Sequence, residues 1–348
     1  MTKIDWCQQL DYSNVLIKPK RSSLYSRSLV DLNTTVDFKN TKSKTTWTGI
    51  PIIAANMDTT GTFEMYQSLS PQKLITAFHK FYTAEDFITF DNTCHLDPEL
   101  FMVSTGISNK DFNNLNSILA SVTCKWVCVD IANGYIKQLG DFCVKLRSKY
   151  PDIRIVAGNV ASREMVEELI INCGVDIVKI GIGPGSACTT RLKTGVGVPQ
   201  LTAVMECADA AHGLGGGIIA DGGITCPGDV SKAFGAGADF VMIGGQFAGH
   251  DESPGDIIER NGKRFKSFYG MSSSKAMETH YGGKNVYRAS EGRELLIPYK
   301  GSIVTTLEDY LGGIRSTCTY IGAKQLKDIA KCTTFGLVSQ QVNMSLIS

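Results

Sequence analysis

Eight short apolar runs recur along the 348-residue chain, and their spacing limits the possible folds more than any other feature. They lack the polar alternation of half-exposed strands, so each predicts a buried parallel strand. Most intervals between them have an amphipathic helical pattern, as in 163–171 and 200–211. Eight alternations of strand and helix predict a (β/α)8 TIM barrel. The predicted strands are 51–55, 73–77, 101–104, 126–130, 153–157, 176–180, 217–220 and 239–243.

A doubly wound open sheet uses the same βαβ units and is the alternative fold, although the strand count and the loop glycines favour closure. Single barrels commonly reach roughly 250 residues or more, so we expect one α/β domain over 1–348. An N-terminal arm covers about 1–45. The polar segment 265–301 is predicted to be an active-site flap that is too polar to enter the core. The stretch 303–330 is predicted to be helical on both sides of 311–320.

Composition excludes several functional classes. A formal net charge of +1 with 20% charged residues gives no polyelectrolyte surface, so we expect no nucleic-acid and no membrane partner. The N-terminal segment has no apolar signal core, and no run of about 18 apolar residues occurs, which predicts a cytoplasmic protein. Eleven cysteines without a CxxC pair indicate reduced thiols, and the five histidines lack metal-ligand spacing.

One cysteine lies in an unusual context. The loop Gly181-Ile-Gly-Pro-Gly-Ser-Ala-Cys-Thr-Thr-Arg191 follows the sixth predicted strand and contains Cys188. Glycines let a backbone approach a ligand closely, and Ser, Thr and Arg neighbours can favour a thiolate. Barrel chemistry gathers at the C-terminal ends of strands, where this loop lies. Free cysteine is more often a small buried hydrophobe, so local sequence leaves both roles open for Cys188. We interpret the other ten as structural, for example Cys124, Cys128, Cys143, Cys173 and Cys207.

Glycine pairs follow the last two predicted strands. Gly222 and Gly223 come directly after Asp221, and Gly244 and Gly245 follow the eighth strand. Backbone N–H groups in such loops hold phosphate in many barrels, and a carboxylate can accept from a ribose hydroxyl. The pattern indicates a nucleoside monophosphate site, with plain tight turns as the alternative.

Taken together, the motifs resemble the IMP dehydrogenase/GMP reductase family nearly from end to end. Residues 78–86 lead directly into the next helix and leave no room for the CBS modules that the family's dehydrogenases carry. Those dehydrogenases also use an adjacent Arg-Tyr pair to activate water, whereas this chain has only the reverse order, Tyr287-Arg288. Both departures favour the reductase branch. The motifs that carry the resemblance are 11–19, 56–65, the Cys188 loop, 220–223, 235–242, 269–272, 288–292 and 312–320.

The resemblance implies NADPH-dependent reductive deamination of GMP to IMP and ammonia in purine salvage, through a thioimidate on Cys188. Thr190 and Glu291 would supply the proton that the departing amine needs. The substrate contacts that it implies are Asp221, Gly222, Gly223, Gly244, Gly245, Gly270, Met271, Ser272, Arg288, Ala289, Ser290, Glu291 and Gly292.

The resemblance also implies a cofactor path and a potassium site within a homotetramer. Arg27 would recognise the 2′-phosphate of NADPH, unless it belongs to a solvated basic arm. The nicotinamide end would meet Asp130, Ile131, Ala132, Ile182 and Gly183, with Lys80, Met271, Tyr287 and Arg288 nearby. The adenosine end would lie on Ser26, Arg27, Ser316, Thr317, Cys318 and Thr319, partly from a neighbouring subunit. The carbonyls of Gly183, Gly185, Cys188 and Arg191 match the family's K+ loop.

Two competing functions stay open on the sequence. An IMP dehydrogenase would run in the oxidative direction with NAD+, against the missing Arg-Tyr pair and CBS modules. A catalytically silent nucleotide-binding barrel would keep the phosphate glycines but would need neither Cys188 nor Glu291.

Overall fold

The computed structural model describes residues 4–281 and 290–339. Within these ranges, eight parallel strands close into a barrel with helices between them, which confirms the predicted (β/α)8 fold. Each barrel strand overlaps its predicted run. The strands are β1 Val15–Ile17, β2 Thr34–Asp37, β3 Thr46–Gly49, β4 Ile52–Ala54, β5 Ile75–Phe78, β6 Phe101–Thr105, β7 Trp126–Asp130, β8 Arg154–Val160, β9 Ile177–Ile180, β10 Gly217–Asp221, β11 Phe240–Ile243, β12 Ile258–Arg260, β13 Lys263–Tyr269, β14 Glu294–Pro298 and β15 Phe335–Leu337.

Strands β4 to β11 form the barrel in chain order, and β11 pairs with β4 to close it, with Val241 opposite Ile52. The helices are α1 Phe63–Leu69, α2 Ala84–Cys94, α3 Asn109–Ser121, α4 Lys137–Lys149, α5 Arg163–Ile171, α6 Thr190–Thr194, α7 Gln200–Leu214, α8 Pro227–Gly235, α9 Ser274–Tyr281, α10 Ile303–Ile321 and α11 Ile329–Cys332. Among the described residues, no helix has the length and apolar character needed to span a bilayer.

Local sequence explains where several helices begin. At the start of α2, the Thr83 hydroxyl accepts from the Asp86 backbone N–H, and the Asp86 carboxylate accepts from the Thr83 backbone N–H. Ser108 and Asp111 make the same reciprocal pair at α3. Each pair satisfies N–H groups that a helix start leaves without partners, so these two helices begin at defined residues after β5 and β6.

The N-terminal end of the barrel is filled by aromatic side chains. The hairpin β2–β3 places Trp47 beneath the barrel, against Trp126 of β7 and Phe240 of β11. Arg154 is 2% exposed, and its guanidinium lies over the ring of Trp126. This end is therefore solid core, and the open end is the one where the strands finish.

Two segments differ from the predictions. Most of an antiparallel sheet, β12–β13–β14, lies in the flap, with β12 preceding it, and alternate residues of β13 turn inward so that Lys266 and Phe268 are buried. The helix α10 runs without a break through Gly312 and Gly313. A Cβ on Gly313 would lie 2.6 Å from the Cβ of Pro227, so this glycine permits close packing on α8 and does not end the helix.

Candidate active site

A cavity of about 500 Å³ opens at the C-terminal ends of the barrel strands. Loops after six of the eight barrel strands line it, β8 contributes Asn159 from the strand itself, and the flap covers part of it. The structure therefore brings together most of the residues that the sequence singled out. The predicted site residues that line the cavity are Lys80, Asp130, Ile131, Ala132, Ile182, Gly183, Gly185, Cys188, Thr190, Asp221, Gly222, Gly223, Gly244, Gly245, Gly270, Met271, Ser272, Glu291 and Gly292.

Other predicted residues lie elsewhere. Ser290 stays within the flap, where its hydroxyl donates to the carbonyls of Ser272 and Gly292. Tyr287, Arg288 and Ala289 lie outside the described residues. The residues proposed for the adenosine end belong to two segments, 26–27 and 316–319 of α10. These segments lie close together, because the Arg27–Leu29 turn packs on α10. Neither segment lines the cavity. In α10, Cys318 is fully buried, and the remaining predicted contacts, Ser316, Thr317 and Thr319, are partly buried.

Cys188, Thr190 and Glu291 form a continuous hydrogen-bonded relay. The thiol of Cys188 donates to Oγ1 of Thr190 at 3.2 Å. The Thr190 hydroxyl in turn donates to Oε2 of Glu291 at 2.7 Å. A nucleophile bonded through a hydroxyl to a carboxylate can pass its proton along that line and receive it back.

Backbone pairing between the flap and the Cys188 loop sets this geometry. The N–H of Thr189 donates to the carbonyl of Glu291 at 2.7 Å, and the N–H of Arg293 donates to the carbonyl of Ala187 at 3.0 Å. A Cβ on Gly270 would lie 2.9 Å from the Ala187 oxygen, so a glycine lets the flap approach this closely. The pairing holds the Glu291 carboxylate above the loop.

The Arg191 guanidinium pairs with the N-terminal arm, although its place in the sequence suggested a role beside the Cys188 thiol. It pairs with the Asp11 carboxylate at 3.0 Å and donates to the carbonyl of Val198 at 2.7 Å. Asp11 also accepts from the backbone N–H of Gln200. The N-terminal arm thus braces the end of the Cys188 loop, and Arg191 fixes its conformation.

Sequence reasoning missed a charged network on the cavity floor. Lys179 of β9 lies between the carboxylates of Asp130 and Asp221, at 2.9 Å and 2.6 Å. Asn56 donates to Asp130, and Asn159 donates to Asp221, each at 2.9 Å. The sequence does contain a signal for this network, because a lysine in the apolar run 176–180 is unusual for a buried strand.

Burial and charge act in opposite directions in this network. Burial would raise the pKa of Asp130, but the Lys179 ammonium and the Asn56 amide hold it below its usual value. Burial would lower the pKa of Lys179, yet the two carboxylates raise it above that of a free lysine. The Asp130 carboxylate and the Lys179 ammonium are therefore both charged at neutral pH.

A second polar cluster holds the flap to the barrel. Asp58, in the loop after β4, accepts from the hydroxyl of Tyr269 at 2.8 Å and lies 2.6 Å from Nε2 of His280. The His280 ring stacks on Phe81 with centroids 3.5 Å apart. Nearby, burial lowers the pKa of His79 to about 4, so that ring is neutral at physiological pH.

One of the two glycine pairs has the backbone geometry that only glycine adopts easily. Gly222 and Gly223 have φ values of +93° and +80°. A Cβ on Gly245 would lie 2.6 Å from Oγ of Ser186, a cavity residue that the sequence analysis did not select. The glycines therefore leave room beside the cavity for a ligand and for Ser186.

Most other cysteines fit the structural interpretation. Burial raises the pKa of Cys124, Cys128 and Cys207 to about 12, which keeps these thiols protonated and unreactive. Cys7 and Cys226 differ from that interpretation, since both are exposed.

In 4–281 and 290–339, no group of three or more His, Cys, Asp or Glu side chains could hold a metal ion. A potassium loop of the predicted kind would instead use backbone oxygens. The carbonyls of Gly185 and Arg191 each accept one backbone hydrogen bond, from Cys188 and Gly195. Each keeps a second lone pair, so these donors are compatible with a hard monovalent cation.

Comparison with known proteins gives concordant matches over nearly the whole chain. A family model described as IMP dehydrogenase / GMP reductase domain matches residues 9–344. GMP reductase 1 of Mus musculus is 55% identical over 99% of both chains. GMP reductase of Tolumonas auensis is 56% identical over 96% of both chains, and that of Caenorhabditis elegans is 54% identical over 99% of this chain and 96% of its own.

Proposed function

Because the chain belongs to the IMP dehydrogenase / GMP reductase family, we propose that it is a GMP reductase. It converts GMP, NADPH and two protons into IMP, NADP+ and ammonium. The observation that carries this proposal is the relay from Cys188 through Thr190 to Glu291 at the edge of the cavity. A binding-only barrel would have no use for a nucleophile connected to a carboxylate.

The covalent step begins at Cys188. Its proton leaves along the Thr190 hydroxyl to Glu291, and the sulfur adds to C2 of the purine. Glu291 then returns a proton through Thr190 to the exocyclic amine, and the C2–N bond breaks to release ammonia. The product of this half is a thioimidate between Cys188 and C2, which divides a difficult displacement into two easier steps.

Bound NADPH supplies a hydride to C2, and expulsion of the Cys188 thiolate completes IMP. The chain's own residues orient the two ligands. Asp221 accepts from the ribose hydroxyls of GMP, and the backbone at the two glycine pairs receives its phosphate. Met271 and Ser272 of the flap cover the base and exclude water, which would otherwise compete for the thioimidate.

For the dinucleotide, we propose that the nicotinamide lies beside Asp130, Ile131 and Ala132, with Lys80 nearby. Ser26 and Arg27 would bind the adenosine end together with Ser316, Thr317 and Thr319 of α10. Their separation from the cavity fits an extended cofactor that a neighbouring subunit of a homotetramer helps to bind. The Arg27 guanidinium is the candidate for selecting the 2′-phosphate of NADPH over NADH.

A potassium ion on the carbonyls of Gly183, Gly185, Cys188 and Arg191 would hold the loop's shape without contacting the reacting atoms. A cytoplasmic location and a place in purine salvage follow from the same proposal, since both substrates are free cytosolic nucleotides.

The test is the loss of reduced-nicotinamide absorbance when the protein is mixed with GMP and NADPH. We expect oxidation that depends on GMP and releases one ammonia per NADPH, and no reduction of NAD+ by IMP in the opposing control. Reduction of NAD+ by IMP would identify a dehydrogenase, and inactivity in both assays would support a binding-only barrel.

A further inference from the structure

Lys179 is a buried cation in the middle of an apolar strand. Its side chain is 4% exposed, yet its ammonium contributes to the floor of the cavity. A charge in that position is costly unless opposite charges and hydrogen bonds surround it. Asp130 from β7 and Asp221 from β10 provide them, so a single ammonium joins two strands that flank β8 and β9.

The two carboxylates use their oxygens differently. In Asp130, Oδ1 accepts from Lys179 and Oδ2 accepts from Asn56. In Asp221, Oδ2 accepts from both Lys179 and Asn159. Oδ1 of Asp221 receives no hydrogen bond from the described part of the chain. Asp221, which lines the cavity, therefore keeps one carboxylate oxygen available for a ligand, whereas both oxygens of Asp130 accept hydrogen bonds within the network.

We propose that Lys179 is a positioning residue shared by both ligands, which holds Asp221 for the ribose of GMP and Asp130 for the nicotinamide end of the dinucleotide. The inference rests on the proposed function, because it takes the two ligands from there. Its physical basis is that two carboxylates facing the same cavity repel each other, and the Lys179 ammonium between them offsets this repulsion and fixes both side chains. Loss of that one cation therefore lowers the binding affinity for both ligands together.

The experiment measures each ligand separately in the binary complex. GMP alone and NADP+ alone are titrated by calorimetry into the wild-type protein, Lys179→Met and Lys232→Met, and the rise in melting temperature with each ligand is recorded. Lys232 is the matched control, because it is also a largely buried lysine in an ion pair, with Asp229, but does not line the cavity. We expect Lys179→Met to lose about tenfold or more in affinity for each ligand, as for a lost charged hydrogen bond, and Lys232→Met to keep both affinities.

A shared role is contradicted if Lys179→Met weakens only one ligand or neither. If the wild-type protein binds both ligands but does not oxidise NADPH with GMP, the proposed function fails and this inference does not. If Lys179→Met does not fold, Lys179→Arg replaces it. A guanidinium keeps the charge but presents a planar fork, so both affinities should fall together by less than in the methionine variant.

The pH dependence separates positioning from a purely structural role. Without the ammonium, only the hydrogen bond from Asn56 and the Lys80 charge would still oppose the effect of burial on the Asp130 pKa, and the Asp221 and Cys128 side chains also face this carboxylate. Its pKa should then rise, so the affinity of Lys179→Met for NADP+ should fall as pH is lowered and recover as pH is raised. A loss of affinity that is the same at every pH would overturn the inference.

Discussion

At the scale of single residues, the site depends on side chains that are distant in sequence. Thr190 and Glu291 are 101 positions apart and meet at 2.7 Å, because the flap pairs with the Cys188 loop. The same loop owes its conformation to Asp11, 180 positions from its partner Arg191. The relay is therefore assembled only when the barrel, the arm and the flap are all in place.

Replacement of the nucleophile tests the covalent route. Cys188→Ala should have no measurable turnover while it still binds GMP within a few-fold of wild-type affinity, because the sulfur bonds to C2 but contributes little to binding the ribose and phosphate. The measurement is NADPH oxidation together with calorimetric titration of GMP. Cys7→Ala removes an exposed thiol and should be fully active. Substantial reduction of GMP by Cys188→Ala would rule out the thioimidate.

Replacement of the relay's carboxylate tests its part in proton transfer. Glu291→Gln can still accept from Thr190 but cannot hold a proton, so ammonia release should slow by about 10²-fold to 10⁴-fold. Hydride transfer should change much less. Rapid quenching measures ammonia in the forward direction, and the burst of NADPH from IMP and NADP+ reports Cys188 addition and hydride transfer without the ammonia step. Equal slowing of the two steps would contradict the role given to Glu291.

At the scale of elements, the flap is a folded unit, and besides its pairing with the Cys188 loop it is attached to the barrel at Asp58. The strands β13 and β14 pair with each other, and α9 reaches back so that His280 meets Asp58. Asp58 is largely buried, and its Oδ1 has no partner among the described residues. The contacts of Asp58 with Tyr269 and His280 therefore carry the attachment of α9.

His280→Ala should loosen this attachment. Loss of the hydrogen bond and of the stacking on Phe81 should raise amide exchange in 270–280 and lower turnover several-fold, because Met271 and Ser272 then cover the cavity less of the time. Hydrogen exchange measured by mass spectrometry is the direct check. His280→Gln keeps a donor for Asp58 and should recover part of the protection. Unchanged protection in the alanine variant would show that β13 and β14 hold the flap alone.

At the scale of the whole molecule, the aromatic side chains that stabilise one end of the barrel lie far from the cavity at the other end. The N-terminal end is closed by Trp47, Trp126 and Phe240, and the chemistry lies at the opposite end. Arg154 belongs to the closed end, where it donates to the carbonyl of Thr46, pairs with Glu99 and lies over Phe38 and Trp126. Changes there should alter folding without altering the site.

Arg154→Met should lower the free energy of unfolding by about 2 to 4 kcal/mol, because it removes the hydrogen bonds and ring contacts of a buried guanidinium together with its ion pair to the part-exposed Glu99. The kcat of the folded fraction should stay at the wild-type value. Chemical denaturation and steady-state assays check the two expectations. Arg163→Met removes an exposed ion pair with Asp209 and should change stability by less than about 1 kcal/mol. A large fall in the kcat of folded Arg154→Met would show that the two ends are coupled.

The amino-acid sequence by itself determined the barrel and the position of Cys188. Both depend on local patterns, since a buried parallel strand and the loop at its end can be recognised within about ten residues. The tertiary structure alone decided that Lys179 bridges Asp130 and Asp221, that Arg191 turns to Asp11 and that α10 runs through Gly313. These outcomes depend on which strand ends and helix faces meet when the barrel closes. A charged side chain that becomes buried needs an opposite charge beside it, and a glycine allows another element to pack closely. No local sequence pattern specifies which residue will be the partner.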